Sequence, residues 1–341
     1  MKKDQDARRA VTMRDVAREA GVSVSAVSHV VNNTNARIGQ DTRERVLRAI
    51  DELGYRPNAM AKNLVKGSSR FIGLVADAIA STPFAGQIIH GAQEEAWKHG
   101  HVLLVANTEG NAAAEASAIS MMLEHKVRGI LYSTWYHREV KVPAELTASD
   151  TVLVNCFSPS ADVRAVVPDE TSGGYDATRM LLEQGHRRVA FLNTLTPSPA
   201  RVGRLHGYRK ALTEASLEFD RRLVFDVQPD QEGGFAAVRD ILRSEATAVF
   251  CHNDRVAMGV YDGLRDRGLR VPEDLSVAGF DNQEVIAAHL RPPLSTVALP
   301  HEELGRRGVR VLLGLEIAEA GLTTVNCPSV HRRSIAVAKP R

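Results

Sequence analysis

Five residues spread along the chain carry side chains suited to gripping a small polar molecule: Phe84, Asp169, Arg204, Asn253 and Asp281. A carboxylate accepts from two neighbouring hydroxyls and a guanidinium donates from a planar fork. A carboxamide does both, and an aromatic ring covers an apolar face. The set fits a polyhydroxylated or heterocyclic ligand. Asn253 and its neighbour Asp254 equally suit the cap of a following helix, and Arg201 reads as a surface residue. No catalytic signature accompanies these residues: Gly-x-Gly-x-x-Gly, Walker A and Gly-x-Ser-x-Gly segments are all absent from the sequence. His99-Gly100-His101 lacks a third metal ligand at a supporting spacing. Cys251 and His252 are neighbours on one strand and point to opposite faces, so they form no dyad. We therefore expect no enzyme, no metal and no cofactor.

Each of the five residues lies beside a strand-length apolar run. Residues 71–76 read as a buried strand, and 83–98 as a helix with Ile88, Ile89, Ala92 and Ala96 on one face. Strands at 102–106, 129–132, 151–155 and 165–167 and a helix at 112–124 continue this series. A second series opens with a helix at 173–184. It continues with strands at 189–192, 224–227, 248–251 and 276–280 and helices at 201–215, 234–243 and 254–267. Such alternation implies parallel sheets covered by helices on both faces. The expected body is α/β, two doubly wound parallel-sheet lobes with a cleft at the strand C-termini. Residues 292–297 cross back, 301–315 form a long helix suited to the first lobe, and 331–337 read as a last strand. The first lobe is then 71–168 with 298–328, and the second is 169–297 with 329–341. Trp97 and Trp135 read as lobe packing, although Trp135 follows a strand end and is open to a ligand.

At 341 residues the chain has the length of two to three domains and needs no covalent staples for its core. Its 44% apolar and 25% charged content excludes a wholly disordered or collagen-like chain. Three scattered cysteines, Cys156, Cys251 and Cys327, fit a reducing, cytoplasmic setting. No stretch approaches the roughly 20 apolar residues of a membrane span, and the charged N-terminus has no signal-peptide core. The net charge of +2 hides a split: residues 1–70 carry +6 and the remaining 271 carry −4. A basic head on a mildly acidic body points to a polyanion partner for the head alone.

Within the head, residues 1–11 form a basic tail. Thr12 and Asp15 have capping-box spacing, with Asp in place of the usual Glu, and Val16, Ala17 and Ala20 follow at helical intervals. Gly21 stops this helix, and Ser23 caps a second one with Val27, Val30 and Val31 on its apolar face. The spacing is that of a helix-turn-helix. A third helix at 41–53 turns Val46, Leu47, Ile50 and Leu53 inward and ends at Gly54. The polar side of the second helix, with Val24, Ser25, Ser28 and His29, stays free for a major groove. Residues 58–70, between Pro57 and Gly67-Ser68-Ser69, make a helix of about two turns, marginal on its own.

The run from Thr12 to Ser23 followed by Val27-Ser28-His29-Val30-Val31-Asn32 resembles the head of LacI/GalR-type transcriptional repressors. Thr42-Arg43-Glu44-Arg45-Val46 and Gly54-Tyr55-Arg56-Pro57-Asn58 continue the match. In the body, the segments 185–191, 251–254 and 277–281 carry it on, so the resemblance spans about residues 12–338. It implies a helix-turn-helix head (12–57), a hinge helix (58–70) and a body of periplasmic-binding-protein type (71–341). It assigns DNA contacts to Thr12, Val24, Ser25, Ala26, Ser28, His29, Asn32, Tyr55 and Asn58. In the hinge it assigns a close-packed position to Ala61, a place often held by Arg to Lys62, and a minor-groove wedge to Leu64. Arg204, Asn253 and Asp281 match effector-contacting positions and Phe84 an apolar wall. Asp169 matches an Asp-Asn motif in which Glu170 replaces Asn. Two departures touch the operator half-site: Ala26 stands where Thr is usual, and His29 where Arg is common. The function implied is a dimeric repressor of palindromic double-stranded operator DNA, controlled by a sugar-like or nucleoside-like effector. A solute-binding protein and a sugar-modifying α/β enzyme are the alternatives. The chain ends without the leucine heptads of tetrameric relatives, which favours a dimer.

Overall fold

The computed structural model describes residues 11–32, 38–56, 69–82, 85–159, 163–317 and 321–339. The chain divides into two compact units, residues 1–69 and 70–341. Among its described residues the first contains three helices: α1 (Met13–Ala20), α2 (Val24–Val31) and α3 (Gln40–Leu53). Thr12 and Asp15 form the capping box that begins α1, with Thr12 N donating to Asp15 Oδ2 at 2.9 Å. Gly21 ends α1 at φ +63°, a left-handed conformation that spares glycine the Cβ penalty. Ser23 then caps α2 through Ala26 N. Val16, Ala17, Ala20, Val27, Val30, Val46, Ala49 and Tyr55 bury a small core. One expectation fails here: Leu47 is 48% exposed, and Ala49, three residues after Val46 on the same helical face, takes the inward position. The hinge readings at Asn58, Ala61, Lys62 and Leu64 lie outside the described residues, as does the wall position Phe84.

The second unit carries two six-stranded sheets. In chain order the first lobe contributes β1 (Phe71–Ala76), α4 (Gly86–Lys98), β2 (Val102–Asn107), α5 (Ala112–Glu124), β3 (Ile130–Glu139), the short α6 (Ala144–Thr147), β4 (Thr151–Phe157) and β5 (Arg164–Pro168). The second lobe follows with α7 (Glu170–Leu182), β6 (Val189–Thr194), α8 (Pro199–Glu214), β7 (Val224–Val227), α9 (Gln231–Arg243), β8 (Ala248–Cys251), α10 (Asp254–Arg265), β9 (Ser276–Asp281) and β10 (Ser295–Ala298). The chain then returns through α11 (His301–Leu312) and β11 (Leu322–Val325) and ends with β12 (Ser329–Val330).

The sheet orders are β11-β5-β4-β3-β1-β2 and β12-β10-β9-β8-β6-β7. All pairings are parallel except that of β10 with β12. The central strands are buried on both faces, which explains their unbroken apolar runs. The chain passes between the lobes three times, after β5, after β10 and after β11. The expected strand at 331–337 is not one. Only Ser329–Val330 pairs as a strand, and the following residues are held by isolated bonds such as Val277 N to Ser334 O (2.8 Å) and Ala336 N to Ser276 Oγ (3.0 Å). Trp97 is 65% exposed on α4 and does not pack the lobe as expected, whereas Trp135 packs against the first lobe's core.

Candidate functional site

A cavity of about 240 Å³ lies between the two lobes, where the strands end. Its second-lobe wall begins with the α7–α8 pair. These helices touch closely enough that a Cβ on Gly174 would sit 2.5 Å from Arg204 Cα, and one on Gly207 2.2 Å from Thr171 O. Glycine at both positions therefore lets Arg204 lie directly over the start of α7. Its Nε donates to Glu170 Oε2 at 2.9 Å, its Nη1 donates to His252 O, and its guanidinium stacks 3.6 Å from the centre of the Phe280 ring. Asp281 Oδ1 is 3.8 Å from Nη1. Arg204 is 3% exposed and Glu170 6%. A buried pair of this kind is tolerated only because both partners are hydrogen-bonded.

The electrostatics follow from that packing. Burial pushes the Glu170 carboxyl up, but Arg204 and His137 outweigh it and hold its pKa down at about 2. His137 Nδ1 lies 3.3 Å from Glu170 Oε1. Asp281 is raised to about 6, chiefly by burial, with Arg204 and the Gln283 amide opposing the rise. Asp254 is raised further, again by burial and then by the charge of Asp281. It faces Thr296 Oγ1 (2.7 Å) and Gln283 N (2.6 Å), so its role is to tie β10 and the loop after β9 together. Burial lowers the His301 pKa to about 4 and keeps His252 neutral as well. Neutral imidazoles can accept or donate to a ligand. His252 Nδ1 is buried with no hydrogen-bond partner among the described residues. Two residues that line the cavity, Asn155 and Asp281, adopt positive φ (+59° and +100°).

The cavity brings Arg204, Asn253 and Asp281 together, as expected. Asn253 is committed to both of its readings: it lines the cavity, while its amide caps α10 through Val256 N (2.8 Å) and donates to Pro229 O (3.1 Å). Asp169 is placed differently. Its Oδ1 accepts from Ser172 N as the cap of α7, and the next residue, Glu170, enters the cavity in its stead. Arg201 turns away to pair with Asp226 at 3.1 Å. Trp135 lines the first-lobe side with Tyr136 and His137. Glu170, His137, His252 and His301 were not among the expected contacts. His137 lies within an irregularity in the β3–β4 register between Ser133 and Arg138, which no local pattern signals.

On the head, Val24 is 42% exposed, and Ser25 and His29 are exposed beside it. Ser28 and Asn32 are half-buried and linked to each other, Asn32 Nδ2 donating to Ser28 Oγ at 3.3 Å. Ala26 is also half-buried, and the Thr12 side chain is spent on Asp15. Tyr55, expected at DNA, is 7% exposed and belongs to the head core. Burial raises its phenol pKa. No helix among the described residues is long and apolar enough to cross a membrane.

Comparison with known proteins matches both units. Residues 12–58 match the bacterial regulatory proteins of the lacI family. Residues 69–316 match the periplasmic binding proteins and sugar binding domain of the LacI family. The HTH-type transcriptional repressor PurR of Vibrio atlanticus (strain LGP32) is 34% identical over 306 residues, covering 89% of this chain and 91% of the relative. The ribose operon repressor of Haemophilus influenzae is 33% identical over 305 residues, with the same coverage. Among solved structures, the lac repressor dimer bound to operator and an anti-inducer is 26% identical, with a TM-score of 0.78 over 96% of this chain and 100% of that one. The complex of the transcriptional regulator CelR with cellobiose is 30% identical, with a TM-score of 0.65 over 95% and 99%. Matched in head and body alike and aligned with repressors over nearly nine-tenths of its length, this chain belongs to the LacI family of bacterial regulatory proteins and is a transcriptional repressor rather than an enzyme.

Proposed function

We propose that the protein acts in the cytoplasm as a homodimer on a palindromic operator, and that a sugar, sugar derivative or nucleoside in the inter-lobe cavity controls its grip on DNA. The observation that carries the effector reading is the buried Arg204–Glu170–Asp281 group, which offers a guanidinium and two carboxyls beside neutral imidazoles in one cavity. Vicinal hydroxyls or the edge of a base satisfy such a set, and Trp135 supplies the apolar wall. A relative named for the ribose operon, and a neighbour solved with cellobiose, support the same class. The dimer reading is supported by Val102, Val105 and Met121, large apolar side chains 42–56% exposed on the edge strand and adjoining helix of the first lobe. In the head, Val24, Ser25 and His29 read base edges, while Ser28 and Asn32 set the helix on the backbone.

Effector and operator are then coupled reciprocally, by about 1–3 kcal/mol in a typical case. The test is a thermal-shift panel of pentoses, hexoses, sugar acids and nucleosides, because a ligand that binds the native state raises the melting temperature. The compound that shifts melting must also change retardation of operator DNA in a gel. A panel with no shift, or a shift that leaves DNA affinity unaltered, defeats the proposal.

A further inference from the structure

A second concavity, of about 620 Å³, lies on the second lobe. The effector residues follow the C-terminal ends of the strands. This pocket is built at the opposite end of the sheet, from the C-terminal end of α10, the loop leading into β9, the loop leading into β10 and the residues after β12. Four arginines line it, Arg265, Arg270, Arg291 and Arg333, against a single carboxylate, Glu273.

The charge there is uncompensated. Arg265 pairs with Asp262 at 3.0 Å. Among the described residues, Arg270, Arg291 and Arg333 have no carboxylate partner. Asp274 is the nearest alternative in sequence, and it spends one oxygen on the backbone N–H of Arg270 at 2.8 Å. The contrast with α11 is direct: Arg306, Arg307 and Arg310 each bind one or more glutamates. The pocket is also ordered before any ligand arrives. Arg291 Nη1 donates to His289 O (3.0 Å) and Leu290 O (3.1 Å), and the Tyr261 hydroxyl pins Pro292 O at 3.1 Å. The backbone N–H of Arg333 donates to Pro293 O at 3.0 Å, which holds that residue beside the same loop.

Three guanidinium groups without a carboxylate partner around one concavity match the geometry of phosphoryl oxygens, which accept bidentately, better than that of a single carboxylate. We propose that this pocket is a second ligand site, separate from the effector cavity, for a small molecule bearing more than one phosphoryl charge. The volume suits a small molecule, and the spread of the arginines over four chain segments suits several anionic groups.

The test is calorimetric titration of the full-length protein with sodium pyrophosphate, with orthophosphate as the single-phosphoryl comparison. We expect one saturable site, tighter for pyrophosphate than for orthophosphate. Binding should weaken at least tenfold in the Arg270→Gln/Arg291→Gln variant and persist in Asp281→Asn, which alters the effector cavity. The exposed arginines make loss of folding a small hazard, and Arg333→Gln alone should give a smaller loss in the same direction. Three results overturn the proposal: unchanged affinity in the arginine variants, equal affinity for both anions, or displacement of pyrophosphate by random-sequence duplex DNA, which would place it on the basic head.

Discussion

In the head, the side chains proposed to meet DNA lie outside: Val24 is 42% exposed, and Ser25 and His29 are exposed with it. In the body the corresponding groups are inside: Arg204 is 3% exposed, Glu170 6% and His252 7%. The two units therefore pay for recognition in different ways. A groove reader keeps its polar groups in water until DNA replaces that water, so they cost the fold little. A cavity must desolvate its charges during folding and hold them against one another until a ligand arrives. Mutation in the head should chiefly alter binding, whereas mutation in the cavity should alter stability as well.

The largest effect expected from this contrast is at Arg204. Replacing it with Met leaves Glu170 as a buried carboxylate without its main counter-charge, and should destabilise the body by about 3–5 kcal/mol in urea unfolding. A loss below 1 kcal/mol would mean the pair is already hydrated. Next comes the pH dependence, where the two carboxyls have opposite signs. Glu170, held at about 2, contributes stability above the ordinary glutamate value of 4.5 that is lost as pH falls toward 2. Asp281, raised to about 6, contributes stability below its ordinary 3.8 that is lost as pH rises through about 6. The Asp281→Asn body should therefore lack the decline between about pH 4 and pH 6 expected of the native protein, and a parallel decline in both would refute the assignment. In the head, Thr12→Ala removes one half of the α1 capping box and should cost about 1 kcal/mol by thermal unfolding. Smallest in stability is His29→Arg, expected to leave melting unchanged while shifting base preference at one symmetric pair of operator positions in a binding-site selection. A changed melting point with an unchanged selection profile would reverse the contrast.

What could be read in advance follows the range of the interactions. The head was legible because its signals are local: Thr12 and Asp15 three residues apart, Gly21 at a helix end, Ser23 starting the next helix. The parallel sheets were legible because strands buried on both faces leave unbroken apolar runs. Asp169 and Glu170 show where this stops. Two adjacent acids look alike in sequence, yet one is the cap, turned to the backbone of its own helix, and the other sits one position later, facing α8. Helix phase decides between them, and phase is set by the α7–α8 packing. His137 was hidden for a similar reason, since it lies within a register shift in β3. The segment after β12 has strand-like residues but is anchored by scattered bonds to β9 and to the β9–β10 region, a tertiary arrangement without a periodic trace.

The three passages between the lobes constrain how this repressor can respond to a ligand. A single connection would leave the lobes free to swing in any direction, and two would still allow a twist about the line joining them. With three short links, after β5, β10 and β11, sliding and separation would require stretching covalent chain. The compliant motion left is a small rotation in which all three links bend together. On the proposed effector reading, occupancy of the cavity is converted into an angle rather than a distance, and an angle is amplified by every ångström that separates a reporting element from its pivot.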